Sequence, residues 1–289
     1  MRTDRRRSAL VVALAASTMC LRATAAVADD PPFRTKQAGV LRVAVYHDYP
    51  PFADKDQGIE VEIGTALAGK LGLRAEVRSY PDADSIDGDL RNIIWRGHPL
   101  WREQLADVML HVPVDPHVIK KNEQVRIFGA YFRERLVVAR NRARIPQLPT
   151  MQIFTTEKIG VEVETLEDRY LVGSFGGTLR ENVVHFPTLI AASAALVRGE
   201  VSAVMGRQTL IEAGLGAARS NYEIGTAPTP GIATSGWELG MAVKADNPEL
   251  AAALEKAVAE LLREGFVERA FTGRGLSYRA PVGVGATTP

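Results

Sequence analysis

Apolar and polar residues alternate in VLRVAVY (Val40 to Tyr46), with Leu41, Val43 and Val45 on one face and Arg42, Ala44 and Tyr46 on the other. A period of two predicts a strand. The period then lengthens. In IEVEIGTALAGKLGL, Ile59, Ile63, Leu67 and Leu71 recur at helical spacing and Gly72 ends the run. RAEVRSY predicts a second strand, and DSIDGDLRNIIWRGH a second helix with its stripe at Ile86, Leu90, Ile93 and Ile94. ADVMLHV predicts a third strand. Strand and helix in alternation predict a parallel α/β layout. A second series follows: KIGVEVE as a strand, TLIAASAALVRGE as a helix, VSAVMG as a strand, RQTLIEAGLG as a short helix and LGMAVK as a strand. The clearest helix is DNPELAAALEKAVAELLREG. Asn247 suits its N-cap and Pro248 its first position, Leu250, Leu254, Val258 and Leu261 form its stripe, and Gly265 ends it.

The first residues break this pattern. Arg2, Arg5, Arg6 and Arg7 precede an apolar run from Ala9 to Leu21, and small residues end at Ala28. This is the layout of a secretory signal peptide, and the run is too short for a transmembrane helix. Cys20 would suit a lipoprotein, but Met19 before it does not. Cleavage after Ala28 removes five Arg and one Asp, leaving a mildly acidic mature chain without cysteine. The 289 residues allow two ordinary domains, and the near-neutral balance argues against nucleic acid as a partner. The expected product is a soluble periplasmic protein. The tail from 279 to 289 lacks periodicity and is expected to be disordered.

One loop stands out. VYHDYPPF places two prolines among aromatic residues directly after the first strand. Proline cannot continue a ladder, so the chain must turn there. Tyr49 and Phe52 could form an apolar wall and Tyr46 a polar-tipped one. Alternatively, Phe52 and Pro51 pack the loop onto the domain.

Five pieces in order resemble the family 3 periplasmic solute-binding proteins, the amino-acid-type receptors of ABC importers. They are LRVAVYHDYPPFADKDQGIEVEIGTALAGKLGL, ADVML, KIGVEVET, ALVRGEVSAVMG and LGMAVKADNPELAAALEKAVAELLREG. The resemblance covers roughly 39–276. It implies a two-lobed type II periplasmic binding protein fold, each lobe a mostly parallel α/β sheet flanked by helices. The implied crossings are RLVVAR and LGMAVK. The lobes would then be 38–136 plus 240–278, and 137–239. It also implies a small-molecule ligand in the cleft at the carboxyl ends of strands, closure by a hinge, and an ABC permease as partner.

The anchors depart from the family's usual ones. Asp115 and His117 stand where an Arg for the ligand carboxylate is expected, and Arg207 where an Asp for its ammonium is expected. Tyr46 replaces an Asp, and Glu164 replaces the Gly before Thr165. These changes of charge argue against an ordinary α-amino acid in the usual pose. A permanently charged guanidinium at Arg207 points instead to a ligand with an acidic group. The expected ligand-binding set is Tyr46, Asp48, Tyr49, Phe52, His111, Asp115, Thr165 and Arg207. The connection RGHPLWREQLADV is longer than usual and places Trp95, His98 and Trp101 near the surface.

Other chemistry finds less support. No HExxH or helical His pair occurs, so no metal or cofactor is expected; His47, Asp48, His111 and Asp115 would be the residues to converge on one. GSFGGT lacks a P-loop lysine and RNRAR reads as a solvated run. A dehydratase on this fold would use cleft carboxylates, with Glu162 and Glu164 alternating on one strand opposite Asp48, but no nucleophile triad or cofactor motif accompanies them. The expected function is non-enzymatic solute capture for an ABC importer. The alternative is an accessory partner of a periplasmic quinoprotein alcohol dehydrogenase, by analogy of fold with relatives that also carry altered anchors.

Overall fold

The computed structural model describes residues 32–282 except 84, 101–103, 227 and 233–235. The signal peptide, Cys20, Trp101 and positions 283–289 lie outside the described residues.

Chain order runs β1 (Val40–Tyr46), α1 (Ile59–Lys70), β2 (Arg74–Tyr80), α2 (Ile86–Leu90), β3 (Val108–Pro113), α3 (Pro116–Lys121) and β4 (Val125–Asn141). It continues with β5 (Ile159–Glu162), α4 (Leu166–Gly173), β6 (Val183–Phe186), α5 (Leu189–Val197), β7 (Ala203–Arg207), α6 (Gln208–Leu215) and β8 (Tyr222–Gly225). It ends with β9 (Gly236–Lys244), α7 (Pro248–Arg263) and α8 (Phe266–Thr272). The strands join in the order β2-β1-β3-β9-β4-β7-β5-β6, with β8 beside β4. β1 pairs parallel with β2 and β3, and β5 parallel with β6 and β7. The antiparallel pairs all involve β4 or β9.

β4 connects the two halves of this sheet. Its first part pairs with β9 as far as Arg135, and from Leu136 onward it pairs with β7. The crossing therefore falls at Arg135 and Leu136, where RLVVAR begins. β9 pairs with β3 and with the first part of β4 over its whole length.

The predicted stripes are buried. Ile59, Ile63 and Leu67 of α1 and Leu250, Leu254, Val258 and Leu261 of α7 face one core, which Phe132 and Phe271 complete by stacking at 4.2 Å. The Asn247 side chain accepts from the Leu250 N–H, with Pro248 at the first helical position, as predicted. Residues 279–282 are placed rather than free: the Arg133 N–H donates to the Arg279 carbonyl, and the Val282 N–H to Glu238. Among the described residues no helix is long and apolar enough to cross a membrane.

The loop after β1 is held by backbone geometry. The Tyr49 N–H donates to the Ala53 carbonyl and the Ile59 N–H to the Pro51 carbonyl. Gly58 has φ +134°, and a Cβ there would sit 2.2 Å from the Phe52 carbonyl oxygen, so only glycine lets the loop fold back onto the start of α1.

Candidate functional site

A cavity of about 530 Å³ opens where the carboxyl ends of β1, β5 and β7 meet β3, β4 and β9. Tyr46, His47, Asp48 and Tyr49 reach it from the end of β1, and His111 from β3. Glu134 lies on the crossing strand, Glu162 ends β5, Arg207 ends β7 and Trp237 comes from β9. Asp82 and Asp89 close it from the β2–α2 side. Both halves of the sheet contribute, as open α/β sheets place ligands beyond the strands' carboxyl ends.

Its aromatic wall is layered. Tyr49 stacks on Phe52 with ring centroids 5.7 Å apart, and Phe52 is only 1% exposed. The His111 ring meets Phe52 edge-on at 4.6 Å and Tyr49 at 5.1 Å. His111 is fixed from behind. Its Nδ1 lies 2.7 Å from Glu60 Oε1, the same oxygen takes the Tyr131 O–H at 2.5 Å, and the His111 backbone N–H donates to the Tyr131 oxygen at 3.0 Å. Glu60 and Tyr131 are wholly buried. His111 holds φ +61°, a left-handed conformation costly for a side-chain-bearing residue and tolerated where surrounding contacts enforce it.

Charge in the cavity is lopsided. Asp48, Asp82, Asp89, Glu134 and Glu162 line it against one arginine, Arg207. Arg207 already has partners. Its Nη2 lies 3.1 Å from Glu162 Oε2, its Nη1 donates to the Tyr49 oxygen, and its guanidinium carbon sits 5.6 Å from the Tyr49 ring centroid. Burial disfavours the Arg207 charge, but Tyr49, Glu162, Glu167 and Glu134 outweigh it and hold the proton more firmly than usual. Burial pushes the Tyr49 phenol up to about 12, against the pull of Arg207. Burial also raises the Tyr46 phenol, helped by Asp89, whose Oδ2 accepts its O–H at 2.7 Å. Asp89 itself is raised by burial, partly offset by the Ala83 N–H and Tyr46.

Glu134 is the most buried of these groups. It is 1% exposed, and Oε1 accepts from the Arg135 N–H at 2.8 Å and the Thr209 N–H at 3.4 Å. Oε2 is buried with no hydrogen-bond partner among the described residues. Burial raises its pKa above the ordinary carboxylate value despite those donors, the Thr209 hydroxyl and the nearby Arg207. A carboxylate this buried is costly to keep charged, and a nearby cation would offset that cost.

Of the predicted residues, Tyr46, Asp48, Tyr49, His111 and Arg207 line the cavity together. Phe52 lies behind Tyr49 in the core, as the packing alternative had it. Asp115 and Thr165 do not line it. Asp115 caps α3, accepting from the His117 and Val118 N–H groups, and Thr165 caps α4, accepting from Asp168. Glu162 and Glu164 do not share a strand face: β5 ends at Glu162, and Glu164 is an exposed turn residue at φ +66°. The left-handed backbone expected of a glycine thus persists at Glu164. Arg207 is not an unpaired cation awaiting an anion, because Glu162 occupies it. Glu134, Asp89 and Trp237 were not singled out by the sequence. Among the described residues no three His, Cys, Asp or Glu side chains are grouped to hold a metal ion.

No protein-family profile and no curated protein sequence matches this chain. Solved structures do. An ancestral cationic amino acid solute-binding protein superposes with a TM-score of 0.62 at 17% identity, covering 82% of this chain and 95% of that one. The solute receptor for L-cysteine of Neisseria gonorrhoeae gives 0.53 at 20% identity, covering 82% and 89%. The substrate-binding protein of an amino acid ABC transporter gives 0.52 at 17% identity, covering 82% and 99%. With β4 carrying the chain between two α/β halves and a cavity at their junction, the chain has the two-lobed fold of the periplasmic amino-acid solute-binding proteins.

Proposed function

We propose that this protein is a periplasmic solute receptor that captures a small organic cation between its lobes and presents it to an ABC importer. The observation that carries the reading is the cavity's charge: five carboxylates, Glu134 the most buried of them, face a single arginine that Glu162 already holds. An ammonium or amidinium group offsets that excess negative charge through charge-assisted hydrogen bonds to the lining carboxylates. Tyr46, Tyr49 and Trp237 add aromatic surface to the lining for the rest of the cation. The anion expected from Arg207 fits less well, because it must displace Glu162 and enter among five carboxylates.

The similar structures support the receptor role, since their descriptions name solute-binding proteins, an L-cysteine receptor and an ABC transporter component. The basic, apolar and small-residue order of the first 28 residues supports export. The Arg207–Tyr49 contact ties the end of β7 to the loop after β1 across the cavity, as a latch would in hinge closure.

Calorimetry on the mature protein tests the reading with matched probes: an alkylamine, a quaternary ammonium, the corresponding α-amino acid and the corresponding carboxylate. The amine binds and the carboxylate does not. Binding of the carboxylate alone would reverse the assignment. Arg207→Ala sharpens the test, because it removes the cavity's one guanidinium. Amine affinity is retained or rises, because a like charge is removed from the cavity. A tenfold fall would mean that Arg207 holds an acidic group on the ligand.

A further inference from the structure

A second concave site lies behind the crossing strand. Alternation along β4 sends Arg133 and Arg135 to the face opposite Glu134. There, with Thr226, Tyr278, Arg279 and Ala280, they line a cavity of about 490 Å³. Its charge is the reverse of the ligand cavity's. Three guanidinium groups line it together. Of the acids around it, Glu238 lies 3.7 Å from Arg133 while also accepting from the Val282 N–H at 2.5 Å, and Glu268 is near enough to Tyr278 to reinforce burial in holding its phenol proton more firmly. Arg135 and Arg279 have no carboxylate partner among the described residues. Burial, then Arg279 and Arg133, loosen the proton on Arg135, so these cations repel one another in the empty site.

Held-together like charges are usually separated by side-chain rotation unless packing prevents it. Here the backbone keeps two of the residues together, since the Arg133 N–H donates to the Arg279 carbonyl and the Tyr278 O–H to the Tyr131 carbonyl. The cavity is larger than a single water or chloride needs. Planar guanidinium forks match the oxygens of phosphate or carboxylate groups.

We propose that this pocket, on the reverse of the crossing strand, binds a small multiply charged oxyanion of the polyphosphate or polycarboxylate class. Such an anion would join β4 to the C-terminal segment at the crossing between the lobes.

Titration of the mature full-length chain with inorganic pyrophosphate at constant ionic strength tests this, with sodium chloride and monovalent acetate as controls. Pyrophosphate binds saturably at one site, and acetate does not. The double variant Arg135→Gln/Arg279→Gln weakens binding at least about tenfold, the loss expected for charge-assisted hydrogen bonds. Thr226→Glu, at an exposed rim position, places a carboxylate in the pocket and has the same effect without removing a buried group. Arg142→Gln, an exposed arginine paired with Glu223 elsewhere, leaves it unchanged. Amine binding in the ligand cavity persists in all these variants, which separates failure here from failure of the receptor reading. Absence of saturable binding to the wild type, wild-type affinity in both Thr226→Glu and the double variant, or retention on phosphatidylglycerol vesicles without a response to free pyrophosphate would each overturn the proposal.

Discussion

Glu134→Gln abolishes cation capture and leaves the empty protein more stable at neutral pH. The side chain is almost fully buried, one of its oxygens has no donor, and burial raises its pKa. Removing the charge takes away the group that a cation neutralises, at a loss of roughly 2–5 kcal/mol of binding. The amide oxygen of glutamine keeps the Arg135 and Thr209 donors, so the local backbone is retained. The stability gain has a defined pH dependence. Below the pKa of an unfolded glutamate both states hold the proton, and the charge costs nothing. As pH rises the unfolded chain loses its proton first, and the folded wild type loses stability until Glu134 itself ionises. The gap between variant and wild type therefore opens as pH rises through that window and then stays constant. Cation affinity of the wild type moves the other way and falls as acid protonates Glu134. Thermal melts and calorimetry over pH check both. A variant that binds the amine as tightly as wild type would remove Glu134 from the site.

Phe52→Ala costs about 3–5 kcal/mol of unfolding free energy, the range for emptying a buried phenylalanine site. The ring touches every layer of the first half: Tyr49 at 5.7 Å, His111 at 4.6 Å, Phe132 at 6.4 Å and Phe271 at 6.2 Å between centroids. It is the floor on which Tyr49 stacks, so the variant also loosens the aromatic wall and weakens ligand binding. Phe52→Leu costs under about 1.5 kcal/mol, because it conserves most of the apolar volume. Urea denaturation with an unchanged m-value measures both. A loss under about 1 kcal/mol for Phe52→Ala would place the ring outside the core.

The fold was legible wherever an element's sequence carries a regular apolar period. β1, β2, α1 and α7 show clean periods of two or 3.6 and fall where those periods place them. β4 was legible only in its second half. Its 17 residues interleave Arg133, Glu134 and Arg135 with apolar positions, and a run of charges reads as solvated. Burial of Glu134 comes from the crossing itself, a tertiary arrangement that no local period encodes. α4 is largely polar, and Glu167 and Leu171 are its buried residues, so it left no stripe to read.

The site was legible on its aromatic side and obscure on its acidic side. The double-proline loop marked Tyr46, Asp48 and Tyr49, and all three line the cavity. Asp115 and Thr165 were placed by position in the resemblance, yet their own sequence carries capping signals: Asp-Pro opening a helix, and Thr with Asp168 three residues on. Asp89 looked like a polar position on an amphipathic helix, whereas the fold turns it toward Tyr46. Arg207 was located at the cavity, but its counter-charge was not, because Glu162 lies 45 residues away and meets it only through the pairing of β5 with β7.

A crystal structure of the mature protein with its tightest-binding amine tests the central claim most directly. The account predicts the ligand nitrogen among the cavity carboxylates within ion-pairing distance of Glu134, its carbon skeleton against the aromatic lining, and the Arg207–Glu162 pair intact. A ligand carboxylate seated on Arg207 with Glu162 displaced, or an amine bound elsewhere with Glu134 still unpartnered, would contradict it.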